Sequence, residues 1–443
     1  MAFDLLPILL RLLACYIAPQ QDQPIGRTVG LACWDRFGGP MSSGCRAWGR
    51  VGWRVAVACA LGLLGLVGCT QFDRGPPGPV ANISRASILG ISNARFLADG
   101  DPAPMIAEFR RAYTRELAYL DSVHRPLPDS SYLAISGGGD NGAFGAGILV
   151  GWSEHGTRPT FKGVTGVSTG ALLAPFAFVG PAYDPTLTEI VTTIDQRNVF
   201  ESRPIIAAIG SDAMADTTPL SNLIAKYVDE RMVGDVAREY GRGRLLFIAT
   251  TNLDAGQPVV WNIGAIAQSG HPEALQLIRR ILLASASIPA LFPPVMFDVT
   301  YDGATYQELH VDGGAIAQAF LYPPSIAVGR LAGIGPQRSR TAYIIRNGRL
   351  RIDPAQTERR TLSIATRAVS TLTTSSSVGD LYRIYTTTKR DGVGFKLAYI
   401  TDDFAEPHES EFDHTYMNRL FEYARAKARS GYPWRRAPPG LAE

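Results

Sequence analysis

A single serine is flanked by glycines in a pattern typical of a catalytic nucleophile. Residues 163–176 read GVTGVSTGALLAPF, and within them GVSTG runs from Gly166 to Gly170 with Ser168 at its centre. In such a G-x-S-x-G pentapeptide the serine occupies a sharp turn between a strand and a helix. Its hydroxyl needs a base to remove the proton before it can attack a carbonyl carbon. The alternative is a structural serine that caps the helix N-terminus.

A glycine-rich turn, here called the glycine loop, precedes this serine by one predicted strand. It reads SGGGDNG from Ser136 to Gly142. The spacing formally matches G-x-G-x-x-G, but the acidic residue that a dinucleotide site needs at the end of the next strand is missing, and no P-loop lysine follows. The N–H groups of such a turn can stabilise the oxyanion of an acyl-transfer reaction, or the turn can be a ligand-free connection. The expected oxyanion donors are Gly137, Gly138, Gly139 and Asp140.

The candidate base is an aspartate in a second glycine turn. Residues 309–314 read LHVDGG, in which Asp312 ends a short predicted strand and is followed by Gly313 and Gly314. Partial burial beside an apolar substrate raises the pKa of a carboxylate and makes it a better base. The other interpretation is an ordinary Asp-Gly turn. His310 lies two residues earlier on the same strand face, where it could orient or tune Asp312 or simply line the pocket.

A serine–histidine–aspartate triad is the main alternative to an aspartate base. The six histidines are His124, His155, His271, His310, His408 and His414. In the α/β-hydrolase order the histidine follows the serine and the acid, which admits His408 or His414 with Asp312. None of the six has a supporting local motif, so we expect surface positions for most of them.

Four motifs in sequence order resemble the patatin-like phospholipase family. They are the glycine loop, the Ser168 elbow, the segment 284–294 (ASASIPALFPP) and the Asp312 turn. The resemblance covers about residues 130–325. It implies a serine–aspartate dyad without histidine, no metal or other cofactor, and hydrolysis of acyl esters of lipids. Many members carry a basic residue where Asp140 stands, and Gln318 could replace an asparagine that often follows the aspartate turn.

Alternating strands and helices predict an α/β fold with a mostly parallel central sheet. The resemblance implies the three-layer patatin-like form of this fold, with helices on both faces of the sheet. We expect a helical N-terminal segment over 84–130, a catalytic core over 131–340, and the C-terminal part of the same domain over 341–443. The predicted strands cover 132–136, 161–167, 245–251, 259–263, 309–311, 343–345 and 395–400. The predicted helices cover 84–120 with a break at 101–102, and then 143–155, 171–179, 272–284, 361–384 and 412–428. The apolar stretches 291–293 and 320–322 could line an acyl channel or pack in the core.

The N-terminus has the features of a bacterial lipoprotein. Residues 41–68 place three arginines before an uncharged apolar run that ends in small residues, followed by Cys69. This order is typical of a signal peptide cleaved before a lipid-modified cysteine, with an ordinary secretory signal or short anchor as the alternative. We interpret 1–40 as an extension from a misassigned start codon and 69–83 as a linker. This predicts a membrane-anchored lipoprotein facing the periplasm, and Thr70 after the cysteine favours the outer membrane.

Composition narrows the function further. The five cysteines all lie at or before Cys69, so the folded body has no thiolate metal site and no cysteine nucleophile. The formal net charge of +3 over 443 residues gives no argument for a nucleic-acid partner. The sequence therefore predicts a lipid acyl hydrolase that uses membrane lipids as substrate and as anchor surface, and it leaves protein partners undefined. The alternatives are a triad esterase, a lipid acyltransferase and a non-catalytic lipoprotein.

Overall fold

A nine-stranded sheet forms the centre of the molecule, and its middle strands are parallel. The computed structural model describes residues 74–78, 80–202, 212–331, 338–351 and 356–441. The predicted extension, signal peptide and Cys69 lie outside the described residues, as does the first part of the predicted linker.

The main sheet runs in the order β1-β7-β6-β3-β2-β10-β11, and β9 pairs with both β6 and β8. The neighbours β6, β3, β2, β10 and β11 are parallel, whereas β1, β7, β8 and β9 join through antiparallel pairs. Strands β4 and β5 form a separate two-stranded sheet. The strands are β1 Arg95–Leu97, β2 Ser130–Ile135, β3 Phe161–Val167, β4 Glu201–Ser202, β5 Ala215–Asp216, β6 Leu245–Asn252, β7 Gln257–Asn262, β8 Val295–Tyr301, β9 Ala304–Asp312, β10 Arg340–Arg346 and β11 Gly394–Tyr399.

Helices flank this sheet and connect its parallel strands. They are α1 Ala103–Ser122, α2 Gly142–Glu154, α3 Thr169–Val179, α4 Asp184–Thr193, α5 Gln196–Val199, α6 Thr218–Tyr227, α7 Glu230–Gly241, α8 Ile263–Gln268, α9 Ala274–Ser285, α10 Thr361–Arg390 and α11 His414–Arg429. Strand β6 is buried at every position, as expected for a strand covered on both faces. The mixed α/β class with a mostly parallel sheet is the one that the sequence predicted.

The carboxyl ends of the parallel strands meet at one edge of the sheet. Strand β2 leads into the glycine loop, β3 leads directly into Ser168, and β10 leads into Asn347. Strand β9 runs antiparallel to β6 and places Asp312 opposite Thr250 near the carboxyl end of β6. Side chains from widely separated segments therefore converge at this edge, where open α/β sheets bind their ligands.

Two glycines bring α11 against the helix that follows the glycine loop. A Cβ atom at Gly147 would lie 2.3 Å from the Phe421 carbonyl oxygen, and one at Gly151 would lie 2.2 Å from that of Arg425. Only glycine allows this close approach of α2 and α11. The packing fixes the C-terminal part of the chain beside the glycine loop.

The predicted helix over 84–120 is only partly correct. Helix α1 forms over 103–122, but β1 occupies 95–97 and pairs with β7. Leu89, Gly90 and Asn93 have positive φ angles of 50°, 66° and 58°, which a right-handed helix cannot contain. Strands β4, β5 and β8 and the five helices from α4 to α8 also have no counterpart among the predicted elements.

Candidate active site

Ser168 lies on a strained turn between β3 and α3. Its φ and ψ are 56° and −129°, a backbone conformation that non-glycine residues rarely adopt. A Cβ atom at Gly166 would lie 2.4 Å from the Gly170 carbonyl oxygen, and one at Gly170 would lie 2.3 Å from that of Ile135. The turn therefore requires glycine at both positions. The Ser168 side chain makes no capping hydrogen bond to α3, so the structure does not support a simple helix cap.

The Asp312 carboxylate is buried and accepts a 2.7 Å hydrogen bond from the Gly314 N–H. Burial raises the pKa of the Asp312 carboxyl to about 7, although the nearby Ser168 hydroxyl and the Gly314 N–H act to lower it. A carboxylate with that pKa is suited to accept and return a proton near neutral pH.

The turn after Asp312 packs against β6 and against the glycine loop. A Cβ atom at Gly313 would lie 2.6 Å from the Ala249 carbonyl oxygen, so this position also needs glycine. Gln318 connects the two glycine turns. Its side-chain amide donates to the Gly314 carbonyl at 2.9 Å, and its backbone carbonyl accepts from the Gly137 N–H at 3.0 Å. Gln318 thus has a bracing contact beside the aspartate turn.

The glycine loop lies against Ser168, but one of its four predicted oxyanion donors is wrong. The Gly137 N–H is already bonded to Gln318, so it is not free to bind an oxyanion. A Cβ atom at Gly137 would lie 3.0 Å from the Ser168 Cβ, which shows how close the loop is. Among the described residues, the N–H groups of Gly138, Gly139 and Asp140 have no hydrogen-bond acceptor. Gly139 has a φ of +59°, which glycine adopts without strain.

A buried arginine and its neighbour brace the glycine loop from β10. The Arg346 guanidinium donates to the Gly137 carbonyl at 3.1 Å. The Asn347 side-chain amide donates to the Ser136 carbonyl at 2.8 Å. Burial lowers the pKa of Arg346 to about 10, so it remains charged at neutral pH. Neither residue was predicted from the sequence, because both lie at the end of a strand about 200 positions later in the chain and no local motif marks them.

The segment 284–294 ties the nucleophile to the acid. The Ser285 hydroxyl accepts from the Ser168 N–H at 3.1 Å and donates to the Ala249 carbonyl at 2.7 Å. The Ser287 carbonyl accepts from the Asp312 N–H at 2.8 Å. Sequence analysis noted this segment only as part of a family resemblance. Its contacts give it a positioning role for both residues of the pair.

Replacing Ser285 with alanine is expected to lower kcat for an acyl ester about tenfold and to destabilise the fold by about 1 to 3 kcal/mol, because a buried N–H at the elbow loses its acceptor. Steady-state kinetics and thermal unfolding measure the two effects. Ser287→Ala is the matched control, since that hydroxyl contacts only the Leu283 carbonyl of its own helical turn. Equal effects of the two substitutions would contradict a specific role for Ser285.

His310 contacts neither Ser168 nor Asp312. Its Nδ1 lies 2.8 Å from the Thr250 hydroxyl and its Nε2 lies 3.1 Å from Glu308 Oε2. The ring is completely buried, and burial lowers the pKa of the imidazole despite the neighbouring Glu308. His310 therefore belongs to a buried polar network with Thr250 and Glu308. Any effect of His310 on Asp312 is transmitted through strand β9, which contains both residues.

The other five histidines also lie away from the Ser168–Asp312 pair. His408 binds Asp140 at 2.6 Å, and His414 contacts the Thr192 carbonyl at 2.8 Å. His155 contacts Thr157, His271 accepts from the Glu273 N–H, and His124 is exposed at the end of α1. All six histidines lie within the described residues, and none hydrogen-bonds with the serine or the acid. The structure does not assemble the predicted alternative triad.

An apolar cavity opens beside Ser168. It contains about 960 Å³ of unfilled space, part of which is open to solvent. Its walls come largely from helices α3, α4, α6 and α9 and include Leu172, Ile190, Leu223 and Leu282. Such walls suit a hydrocarbon chain rather than a polar group.

The two apolar stretches predicted to line an acyl channel lie beside different cavities. Phe292, from the stretch 291–293, lines the cavity beside Ser168. Leu321 and Tyr322 instead line a separate cavity with Phe109 and Lys162, near the amino ends of the parallel strands. The Thr165 hydroxyl binds the Phe320 carbonyl, which fixes the stretch 320–322 on that side of the sheet.

Within the described ranges, no group of three or more His, Cys, Asp or Glu side chains is arranged to hold a metal ion. No helix in the same ranges is both long enough and apolar enough to cross a bilayer.

Comparison with known proteins places these features in a family. Residues 133–322 match the family model described as patatin-like phospholipase. Among solved structures, the crystal structure of VipD from Legionella pneumophila is 10% identical, and the match covers 69% of this chain and 67% of that chain with a TM-score of 0.27. No curated protein matches the chain. Residues 133–322 therefore form a domain of the patatin-like phospholipase family, whose general activity is lipid acyl hydrolysis.

Proposed function

We propose that the protein hydrolyses acyl esters of membrane phospholipids or lysophospholipids with a Ser168–Asp312 dyad. The observation that carries this proposal is the proximity of the Ser168 side chain, in the wall of an apolar cavity, to the buried Asp312 carboxylate. The strained turn at Ser168 adds support, because strain of this kind concentrates at functional sites.

The proposed reaction has two acyl-transfer steps. The Ser168 Oγ attacks the ester carbonyl while Asp312 takes its proton. The resulting oxyanion accepts hydrogen bonds from the N–H groups of Gly138, Gly139 and Asp140. Asp312 then gives the proton to the leaving alcohol oxygen, and an acyl-serine remains.

Water completes the cycle by the reverse sequence. Asp312 removes a proton from a water molecule, and the hydroxide oxygen bonds to the acyl carbon while the bond to Ser168 Oγ breaks. The proton returns to Ser168, and the fatty acid leaves. The apolar cavity holds the acyl chain throughout, which keeps the ester carbonyl next to the nucleophile.

The proposed location follows from the N-terminal sequence. A lipid chain on Cys69 would anchor the enzyme to a bacterial membrane, facing the periplasm and more readily at the outer than at the inner membrane. Such an anchor raises the local concentration of membrane lipids at the active site. Mass spectrometry of the mature N-terminus tests this part, and an intact Met1 would contradict it.

The proposed activity is tested with the full chain in detergent micelles containing single phospholipids or lysophospholipids, in water enriched in ¹⁸O. We expect free fatty acid with one ¹⁸O atom in its carboxyl group, and no release by Ser168→Ala. Acyl chains recovered on an added alcohol without ¹⁸O would instead indicate a lipid acyltransferase. Absence of any lipid turnover by folded wild-type protein would favour the non-catalytic lipoprotein.

A further inference from the structure

The segment between β11 and α11, residues 404–413, is fastened to the glycine loop. His408 Nε2 lies 2.6 Å from Asp140 Oδ2, and the Phe412 N–H donates to the same oxygen at 2.9 Å. The Tyr416 hydroxyl, at the start of α11, donates to the Asn141 side-chain oxygen at 2.7 Å. The side chain of Asp140 therefore holds the 404–413 segment, and that of Asn141 holds the start of α11.

Phe412 is strained and lies in the wall of the apolar cavity. Its φ is +56°, which is uncommon for a bulky residue and persists only when the surroundings enforce it. Asp140 enforces it through the Phe412 N–H, and edge-on packing against Phe200, with ring centroids 6.2 Å apart, supports the side chain. Phe412 and Asp140 both line the cavity that contains Ser168. The position of Phe412 thus depends directly on a contact made by Asp140.

The charge around His408 favours its protonated form. The groups that face it are Asp140 from the glycine loop and Glu411 and Asp413 from its own segment. The hydrogen bond to Asp140 is the largest cause that raises the pKa of His408 above its ordinary value, and the two other carboxylates add to it. The His408 ring also packs on Tyr416, with centroids 4.5 Å apart. Asp140 is buried, whereas the His408 side chain is 40% exposed and can exchange its proton with solvent.

We propose that Asp140 and His408 form a clasp that positions Phe412 in the cavity wall, so that protonation of His408 sets the enzyme's preference for long acyl chains. This inference rests on the proposed acyl-hydrolase function and assigns His408 as a positioning residue for acyl-chain specificity. Imidazolium binds the Asp140 carboxylate as an ion pair. Neutral imidazole keeps at most a weaker hydrogen bond, and the strained Phe412 backbone then relaxes away from the cavity wall.

The direction of the pH effect follows from these contacts. Because the pKa of His408 is raised in the folded protein, the ion pair is complete in mildly acidic solution and is lost as the pH rises through that raised value. Long acyl chains lose apolar contact with Phe412 when the clasp opens, whereas an acetyl group has little contact to lose. The ratio of kcat/KM for a long-chain to a short-chain ester therefore falls as the pH rises. Protonation of Asp312 affects both esters equally and cancels from this ratio.

The test compares octanoyl and acetyl p-nitrophenyl esters with the full chain at about pH 6 and about pH 9, which lie on either side of the ordinary histidine pKa. For the wild type we expect the octanoyl-to-acetyl ratio of kcat/KM to fall about tenfold from the lower to the higher pH. This is the size of effect expected when the acyl chain loses part of its contact with one aromatic ring. His408→Gln should show the low ratio at both pH values. Phe412→Ala should do the same without disturbing the Asp140–His408 pair.

His414→Gln is the matched control, since His414 contacts Thr192 and Asn418 rather than Asp140. We expect it to keep the wild-type ratio and its pH dependence. Hydrogen exchange in peptides covering 404–413 gives a readout that needs no activity, and it should be faster in His408→Gln than in His414→Gln at about pH 6. A pH-independent wild-type ratio, or equal behaviour of the two variants in both measurements, would overturn the clasp. If no ester is hydrolysed, the proposed function fails while the exchange measurement still decides on the clasp.

Discussion

A Ser168→Ala protein is expected to lose acyl-ester hydrolysis by about 10⁴-fold or more, because removal of a serine nucleophile leaves only binding and oxyanion stabilisation. The fold should survive, since the substitution removes one oxygen and leaves the glycines of the turn in place. Initial rates with a p-nitrophenyl ester measure the loss, and circular dichroism with thermal unfolding checks the fold.

Ser370→Ala is a suitable control for this prediction. Ser370 is exposed on α10, and its replacement should leave activity within about twofold of wild type, as is usual for surface substitutions. Substantial residual turnover by a folded Ser168→Ala protein would show that another residue is the nucleophile.

An Asp312→Asn protein is expected to lose about 10³-fold or more in kcat, because an amide cannot accept the Ser168 proton. In the wild type, the rate should rise with pH through about 7, where the Asp312 carboxyl loses its proton. The pH–rate profile of kcat/KM measures this rise. If the rise is absent from the residual activity of Asp312→Asn, Asp312 is the group whose titration causes it.

The same substitution should stabilise the fold in alkaline solution. The pKa of Asp312 in the folded protein, about 7, lies above that of an unfolded aspartate at about 3.9. The carboxyl therefore contributes stability below about pH 4, and that contribution is lost as the pH rises through 7. Asparagine avoids the buried charge, so Asp312→Asn should unfold at a higher temperature than wild type at about pH 8.

Asp391 provides a control, because its effect on stability is expected to depend on pH in the opposite direction. Its pKa is lowered in the folded protein, where Arg390 and the Tyr322 hydroxyl hydrogen-bond with its carboxylate despite partial burial. Its contribution to stability is present above the unfolded pKa and is lost as the pH falls. Asp391→Asn should therefore destabilise the fold at about pH 8 while leaving activity close to wild type. A loss of stability in Asp312→Asn at that pH would contradict the conclusion that burial raises the pKa of the Asp312 carboxyl.

Local sequence patterns were sufficient to predict the elements that carry the dyad. Strand β3 was predicted with its observed bounds, 161–167, and the glycines at 166 and 170 mark the turn that only glycine can make. The glycines after Asp312 likewise mark a turn that packs against β6. These features are visible in sequence because their physical cause lies within a few residues.

Features that depend on distant contacts could not be predicted in the same way. The Gly137 N–H looks like an oxyanion donor until the structure shows its bond to the Gln318 carbonyl. In the sequence, Asp140 is only a departure from a family pattern. The structure shows that its carboxylate hydrogen-bonds with His408 and with the Phe412 N–H. The stabilising partner in each case comes from far along the chain, and a single sequence carries no signal for it.

Helices α6 and α7 were missed for a different reason. Helices α6 and α7 carry buried side chains at a spacing of four residues, Leu220 and Ile224 in one and Met232, Val236 and Tyr240 in the other. That spacing predicts amphipathic helices and could have been found. Which of these side chains line a cavity depends on how the helices pack over Ser168.

The central claim is that Asp312, and no histidine, activates Ser168. The most direct test is the rate at which a fluorophosphonate modifies Ser168 as a function of pH, followed by intact-mass and peptide mass spectrometry of the full chain. A dyad predicts one adduct, on Ser168, that forms faster as the pH rises through about 7 in wild type, and formation at least about 10²-fold slower in Asp312→Asn. An adduct on another residue, or an unchanged labelling rate in Asp312→Asn, would contradict it.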